Sequence, residues 1–104
     1  MIEHKDHMNL LLDYYGVLLT EKQQEILRCY FADDLSLAEI AENLSISRSA
    51  VHDVIKRSEQ ILENYEAKLT LIATKKKQDE IIRKYQKSKI DEVKQLLDEL
   101  ENIE

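Results

Sequence analysis

Arg48, Ser49, His52, Asp53, Lys56 and Arg57 fall within ten residues of this 104-residue chain. On a helix, positions 48, 49, 52, 53 and 56 stand side by side. Such a face can meet nucleic acid. Arg48 can pair with a guanine edge or a phosphate, and Lys56 and Arg57 suit phosphate contact. Ser49 and His52 add polar groups at the same end. Asp53 fits less well: it can accept from a cytosine amino group, but it repels a phosphate backbone. Ser36 and Ser47 each stand just before a helical pattern, where the free amides of a helix N-terminus can receive phosphate.

Other chemistry-bearing residues form weaker groups. His4 and His7 share a helix face with Glu3 nearby, a two-ligand arrangement that reads more simply as surface histidines near a helix end. Cys29 is the single cysteine; it builds no disulfide framework and suits the role of a small buried hydrophobe. Tyr14 and Tyr15 can stack on a base, although their helical spacing also fits core packing. No nucleophile with a base, paired carboxylates or metal cluster has convincing spacing. One glycine, Gly16, is too few for the usual phosphate-binding loops. The sequence therefore points to a protein that is not an enzyme and needs no cofactor.

The elements that must carry these residues are helical. There is no proline, charged residues make up 35%, and Lys, Glu, Leu and Ile dominate, which suggests an all-α fold of five helices. Helix 1 is expected over 3–18, with Met8, Leu11, Leu12, Tyr15, Leu18 and Leu19 on its apolar face. Gly16 either caps it or permits close packing. Thr20 to Gln23 has the form of a capping box and starts helix 2, with Ile26, Leu27, Tyr30 and Phe31 facing the core. Ser36 to Glu39 is a second capping box, opening a helix too short to persist alone. A fresh N-cap at Ser47, three residues after Leu44, predicts a corner with Ile46 buried inside it and Ser45 where glycine is usual. Two short helices joined in this way make a helix-turn-helix over 36–57. Helix 4 then continues along a seam of Val51, Ile55, Ser58, Leu62, Tyr65, Leu69 and Ile72. The seam fails at Lys76 and Asp79, so a break is expected near Lys75–Lys77, with a fifth helix beyond. This divides the chain into a helix-turn-helix domain, 1–74, and a charged amphipathic C-terminal helix, 75–104.

Charge and hydropathy bound the partners. The net charge is −6, which opposes general nucleic-acid affinity. Residues 20–60 carry −3, residues 68–89 carry +6 and residues 90–104 carry −5. No apolar run is long enough to span a membrane, and the N-terminus lacks the basic start of a signal peptide. A cytoplasmic location without membrane insertion is expected. The seam of helix 4 and the apolar tail exceed what one small domain can cover. Either the tail folds back on helix 4, or two chains pair through Leu62, Tyr65, Leu69, Val93, Leu96 and Leu100. A homodimer suits a helix-turn-helix that reads paired half-sites.

The stretch from Leu19 to Leu62, LTEKQQEILRCYFADDLSLAEIAENLSISRSAVHDVIKRSEQIL, resembles region 4 of bacterial sigma factors, which reads the promoter −35 element. More closely, NLLLDYYGVLLTEKQ, YFADDLSLAEIAE and SRSAVHDVIKRSEQILENYEAKL resemble the small bacterial helix-turn-helix family that includes YlxM. That resemblance spans about two thirds of the chain. It implies a DNA-binding regulatory protein that takes part in the signal recognition particle pathway, an expectation resting on gene neighbourhood within the family. Helix-turn-helix geometry also serves proteins that bind other proteins, and the −3 balance of residues 20–60 favours that alternative. RNA is a third, because a signal recognition particle contains RNA.

Overall fold

The computed structural model describes residues 2–103. Among the described residues there are six α-helices and no strand: α1 (Ile2–Tyr15), α2 (Glu21–Leu27), α3 (Leu37–Leu44), α4 (Arg48–Leu69), α5 (Leu71–Tyr85) and α6 (Asp91–Glu101). A 3-10 turn, Gly16–Leu18, follows α1, and a π turn, Arg28–Ala32, prolongs α2. The helices group into two compact units, Met1–Thr70 and Leu71–Glu104.

The first unit is built around α4, on which α1, α2 and α3 all pack. Its core consists of Met8, Leu11, Leu12, Tyr15, Leu19, Ile26, Leu27, Phe31, Ile40, Ala41, Val51, Ile55 and Leu62. Leu18, expected in that core, is 52% exposed. The tighter 3-10 turn changes the angular step along the chain, so Leu18 swings out and Leu19 swings in. Gly16 is buried and has no positive φ. A Cβ there would meet Leu12 Cδ2 at 3.6 Å, ordinary contact, so Gly16 neither caps α1 nor permits an unusually close approach. The π turn closes on an Asp33 N–H to Arg28 carbonyl bond of 3.0 Å. Phe31 lies in the core while Tyr30 is only half-buried, packed edge-on against Phe31 at 5.0 Å. Asn9 Nδ2 donates to the Phe31 carbonyl at 2.9 Å and ties α1 to this turn.

α1 and α4 run parallel, because the polar ties between them advance together along both helices. His4 Nε2 meets Glu59 at 3.1 Å and His7 Nε2 meets Glu63 at 2.7 Å. Tyr15 Oη donates to Glu66 at 2.6 Å, and its ring stacks on Tyr65 at 6.0 Å. The three glutamates recur at i, i+4 and i+7, one face of α4.

Three side-chain caps set the helix starts. Thr20 Oγ1 accepts from the Gln23 N–H while Gln23 accepts from the Thr20 N–H, and Ser36 and Glu39 repeat the arrangement. Ser47 Oγ accepts from the Ala50 N–H at 3.0 Å. Between α3 and α4, Ser45 is left-handed at φ 57°. Its N–H bonds to the Glu42 carbonyl at 3.3 Å, and the Ile46 N–H bonds to the Ala41 carbonyl at 3.1 Å. This is a Schellman ending, and the chain turns a true corner. Ile46 is half-buried rather than buried. In this motif the residue after the left-handed one lies against the last turn of the helix it leaves, at the rim of the corner.

α4 ends at Thr70, left-handed at φ 52°, and not at Lys75–Lys77. Lysines are good helix formers, and Lys75 pairs with Asp79 at 2.9 Å one turn on, so this charged stretch carries α5 through. A second interruption follows Tyr85, which makes six helices instead of five. Ser88 Oγ accepts from the Ile90 N–H at 3.2 Å, and α6 begins with Asp91 and Glu92, acids suited to the positive end of a helix.

In the second unit α5 and α6 pack on each other. Ile82, Val93 and Leu97 are half-buried. Gln86 Nε2 donates to Glu101 Oε1 at 3.3 Å.

Candidate nucleic-acid interface

α4 starts at Arg48, so Arg48 and Ser49 occupy its first turn, His52 and Asp53 its second, and Lys56 and Arg57 its third. All six side chains are exposed. Val51 and Ile55, on the opposite side, are buried and anchor this part of α4 in the core. Arg48, Ser49, His52 and Asp53 line one shallow hollow with Leu37 of α3. A neighbouring cleft joins His52 and Lys56 to His4, Tyr30, Phe31, Leu37, Ile55 and Glu59.

Ser36 and Ser47 are exposed, and their hydroxyls are spent on the Glu39 and Ala50 amides. They fix where α3 and α4 begin. Glu39, bonded to the backbone N–H of Ser36, is held below the usual carboxylate range by that bond and by the Ser36 side chain. Lys56 Nζ lies 3.7 Å from Glu59, which also faces His4. A phosphate would compete with that carboxylate for Lys56. Sequence reasoning missed Glu59, Leu37 and Asn9. The i,i+3 spacing of Lys56 and Glu59 was the available signal for the first; the other two depend on contacts between distant parts of the chain.

The remaining expected sites lie elsewhere. Leu62, expected at a dimer interface, is fully buried where α4 meets its neighbours and offers nothing to a second chain. Tyr65 is half-buried against Tyr15, and Leu69 is 49% exposed. Val93 is half-buried in the second unit, where Leu96 and Leu100 are 54% and 44% exposed. Cys29 is half-buried, and burial, with Asp33 and Glu25 nearby, pushes its thiol up, away from the reactive thiolate. His4 and His7 each engage a separate glutamate of α4. Among the described residues no group of three or more His, Cys, Asp or Glu could hold a metal ion. No described helix is long and apolar enough to cross a membrane.

The family described as "Putative helix-turn-helix protein, YlxM / p13 like" matches residues 2–103. A UPF0122 protein of Lactococcus lactis subsp. cremoris is 44% identical over 107 residues, covering 94% of this chain and 96% of that protein. A UPF0122 protein of Halalkalibacterium halodurans is 42% identical over 109 residues and covers the whole of both chains. One from Streptococcus pneumoniae is 44% identical over 108 residues, covering 99% of this chain and 98% of that protein.

Proposed function

The chain belongs to the YlxM / p13-like helix-turn-helix family, and from that premise we propose that it is a DNA-binding regulatory protein of the signal recognition particle pathway. The exposed face of α4 enters the major groove, with Arg48, Ser49, His52 and Asp53 at base edges and Lys56 and Arg57 on phosphate. Ser36 and Ser47 bring the first turns of α3 and α4 toward the backbone. The observation that carries this reading is the corner itself. A Schellman ending at Ser45 and a serine cap at Ser47 project the exposed half of α4 away from a core that holds its other half.

A second reading has its own support. Residues 20–60 carry −3, and Lys56 already faces Glu59. Both features suit a module that docks on a protein, or accompanies RNA, in the secretion machinery.

One titration separates the readings. At low salt the full chain is expected to bind duplex DNA, and Arg48→Ala with Lys56→Ala is expected to abolish binding while leaving the helical circular-dichroism signal intact. If Arg48, Lys56 and Arg57 each neutralise one phosphate, the logarithm of affinity falls against the logarithm of salt with a slope of about −3 per chain. Binding only to signal-recognition RNA would replace DNA as the ligand. Binding to neither would leave the protein-docking reading.

A further inference from the structure

The hairpin of α5 and α6 is wider in apolar surface than it can cover. Ile82, Val93 and Leu97 are half-buried, but Ile81, Tyr85, Leu96, Leu100 and Ile103 are between 44% and 71% exposed. No residue of α6 is buried. Along α5, Ile81 and Tyr85 are one turn apart; along α6, Leu96 and Leu100 are one turn apart, and Ile103 follows just beyond the helix end. Each helix thus keeps a second stripe beside the one facing its partner helix. A cleft between them, lined in part by Ile81, Ile82, Leu100 and Ile103, is open to solvent.

The charges beside these stripes are opposite. α5 carries five basic and two acidic residues, and α6 carries one basic and five acidic. Lys77 and Lys84 flank Ile81 on α5, at spacings of four and three residues. Glu92 and Glu99 flank Leu96 on α6 at the same spacings. An occupant of this face must therefore supply an acidic apolar stripe against α5 and a basic one against α6. A second copy of the hairpin, turned about a two-fold axis, supplies both. The alternative that sets α5 against α5 brings like charges together.

We infer that the α5–α6 hairpin is a self-association surface, two copies closing into a four-helix bundle in which α5 of each chain lies against α6 of the other. Leu96 and Leu100 keep the interface role expected from sequence, while Leu62 gives way to Ile81, Tyr85 and Ile103. The inference does not depend on what α4 binds.

Sedimentation of the full chain at micromolar concentration is expected to give about twice the 12.3 kDa chain mass. Leu96→Asp with Leu100→Asp is expected to halve it with the α4 core still folded, and Leu69→Asp is expected to leave it doubled. Lys77→Glu with Lys84→Glu is expected to weaken association about tenfold or more. Adding Glu92→Lys with Glu99→Lys to that variant is expected to restore it, which a loss of folding could not explain. A monomeric wild type at concentrations up to about a hundred micromolar overturns the inference. So does a dimer dispersed by Leu69→Asp but not by the α6 pair, or a charge reversal that the second reversal fails to rescue.

Discussion

Ser45 holds a backbone conformation that disfavours any side chain, and the helix-turn-helix hangs on it. Its φ of 57° lies in the left-handed region, where a Cβ crowds the following carbonyl. Ser45→Gly is expected to raise the stability of the first unit by about 1 kcal/mol, read as an increase in the denaturant midpoint with an unchanged slope. A decrease would mean that the serine side chain contributes something the backbone bonds do not. Ser58 departs from good packing in a different way. It is fully buried in the apolar seam of α4, and its hydroxyl finds no hydrogen-bond partner among the described residues. Ser58→Ala is expected to stabilise by about 1 kcal/mol, because the methyl group fills similar space without a polar atom to desolvate. A loss of stability would show that the hydroxyl is satisfied in solution.

α3 is eight residues long and owes its start to a reciprocal pair. Glu39 is held below its ordinary pKa by the Ser36 backbone N–H. Its contribution is therefore complete above the carboxylate range of the unfolded chain and is lost as pH falls through the folded value. Glutamine can make the same bond but does not titrate. The thermal midpoint of the wild type relative to Glu39→Gln is accordingly expected to fall on acidification through that range; a constant difference would show that the carboxylate charge adds nothing. The same local chemistry explains what could be read from sequence. The caps at Thr20, Ser36 and Ser47 and the corner at Ser45 depend on neighbours three to five residues apart, so residue order reveals them. The burial of Phe31 ahead of Tyr30 and the exposure of Leu18 follow from a π turn and a 3-10 turn, which residue types do not announce. Thr70 was hidden by its type: a β-branched residue is a poor choice for φ of 52°. The lysine run looked like an interruption because it broke the apolar seam, yet lysine favours helix. Of the candidate interface, the exposed face of α4 was legible, whereas the carboxylate of Glu59 beside it was signalled only by its i,i+3 spacing from Lys56 and was missed.

The two units of the molecule differ in how much they bury. The first has a core drawn from four helices and the ties between α1 and α4, whereas α6, at eleven residues, has no buried residue at all. A helix that short has little stability of its own in water. Amides exchange their hydrogens with solvent through local opening, at rates set by the stability of the region that opens. In deuterated solvent the amides of Val51 to Leu62 are expected to stay protonated longest, and those of α6 to label among the first. Because a bound copy stabilises only the form that binds it, α6 labelling is expected to slow as protein concentration rises, while labelling of the α4 core stays constant. On the inferred pairing of hairpins, deuterium uptake in α6 becomes a gauge of how many copies of the chain surround it.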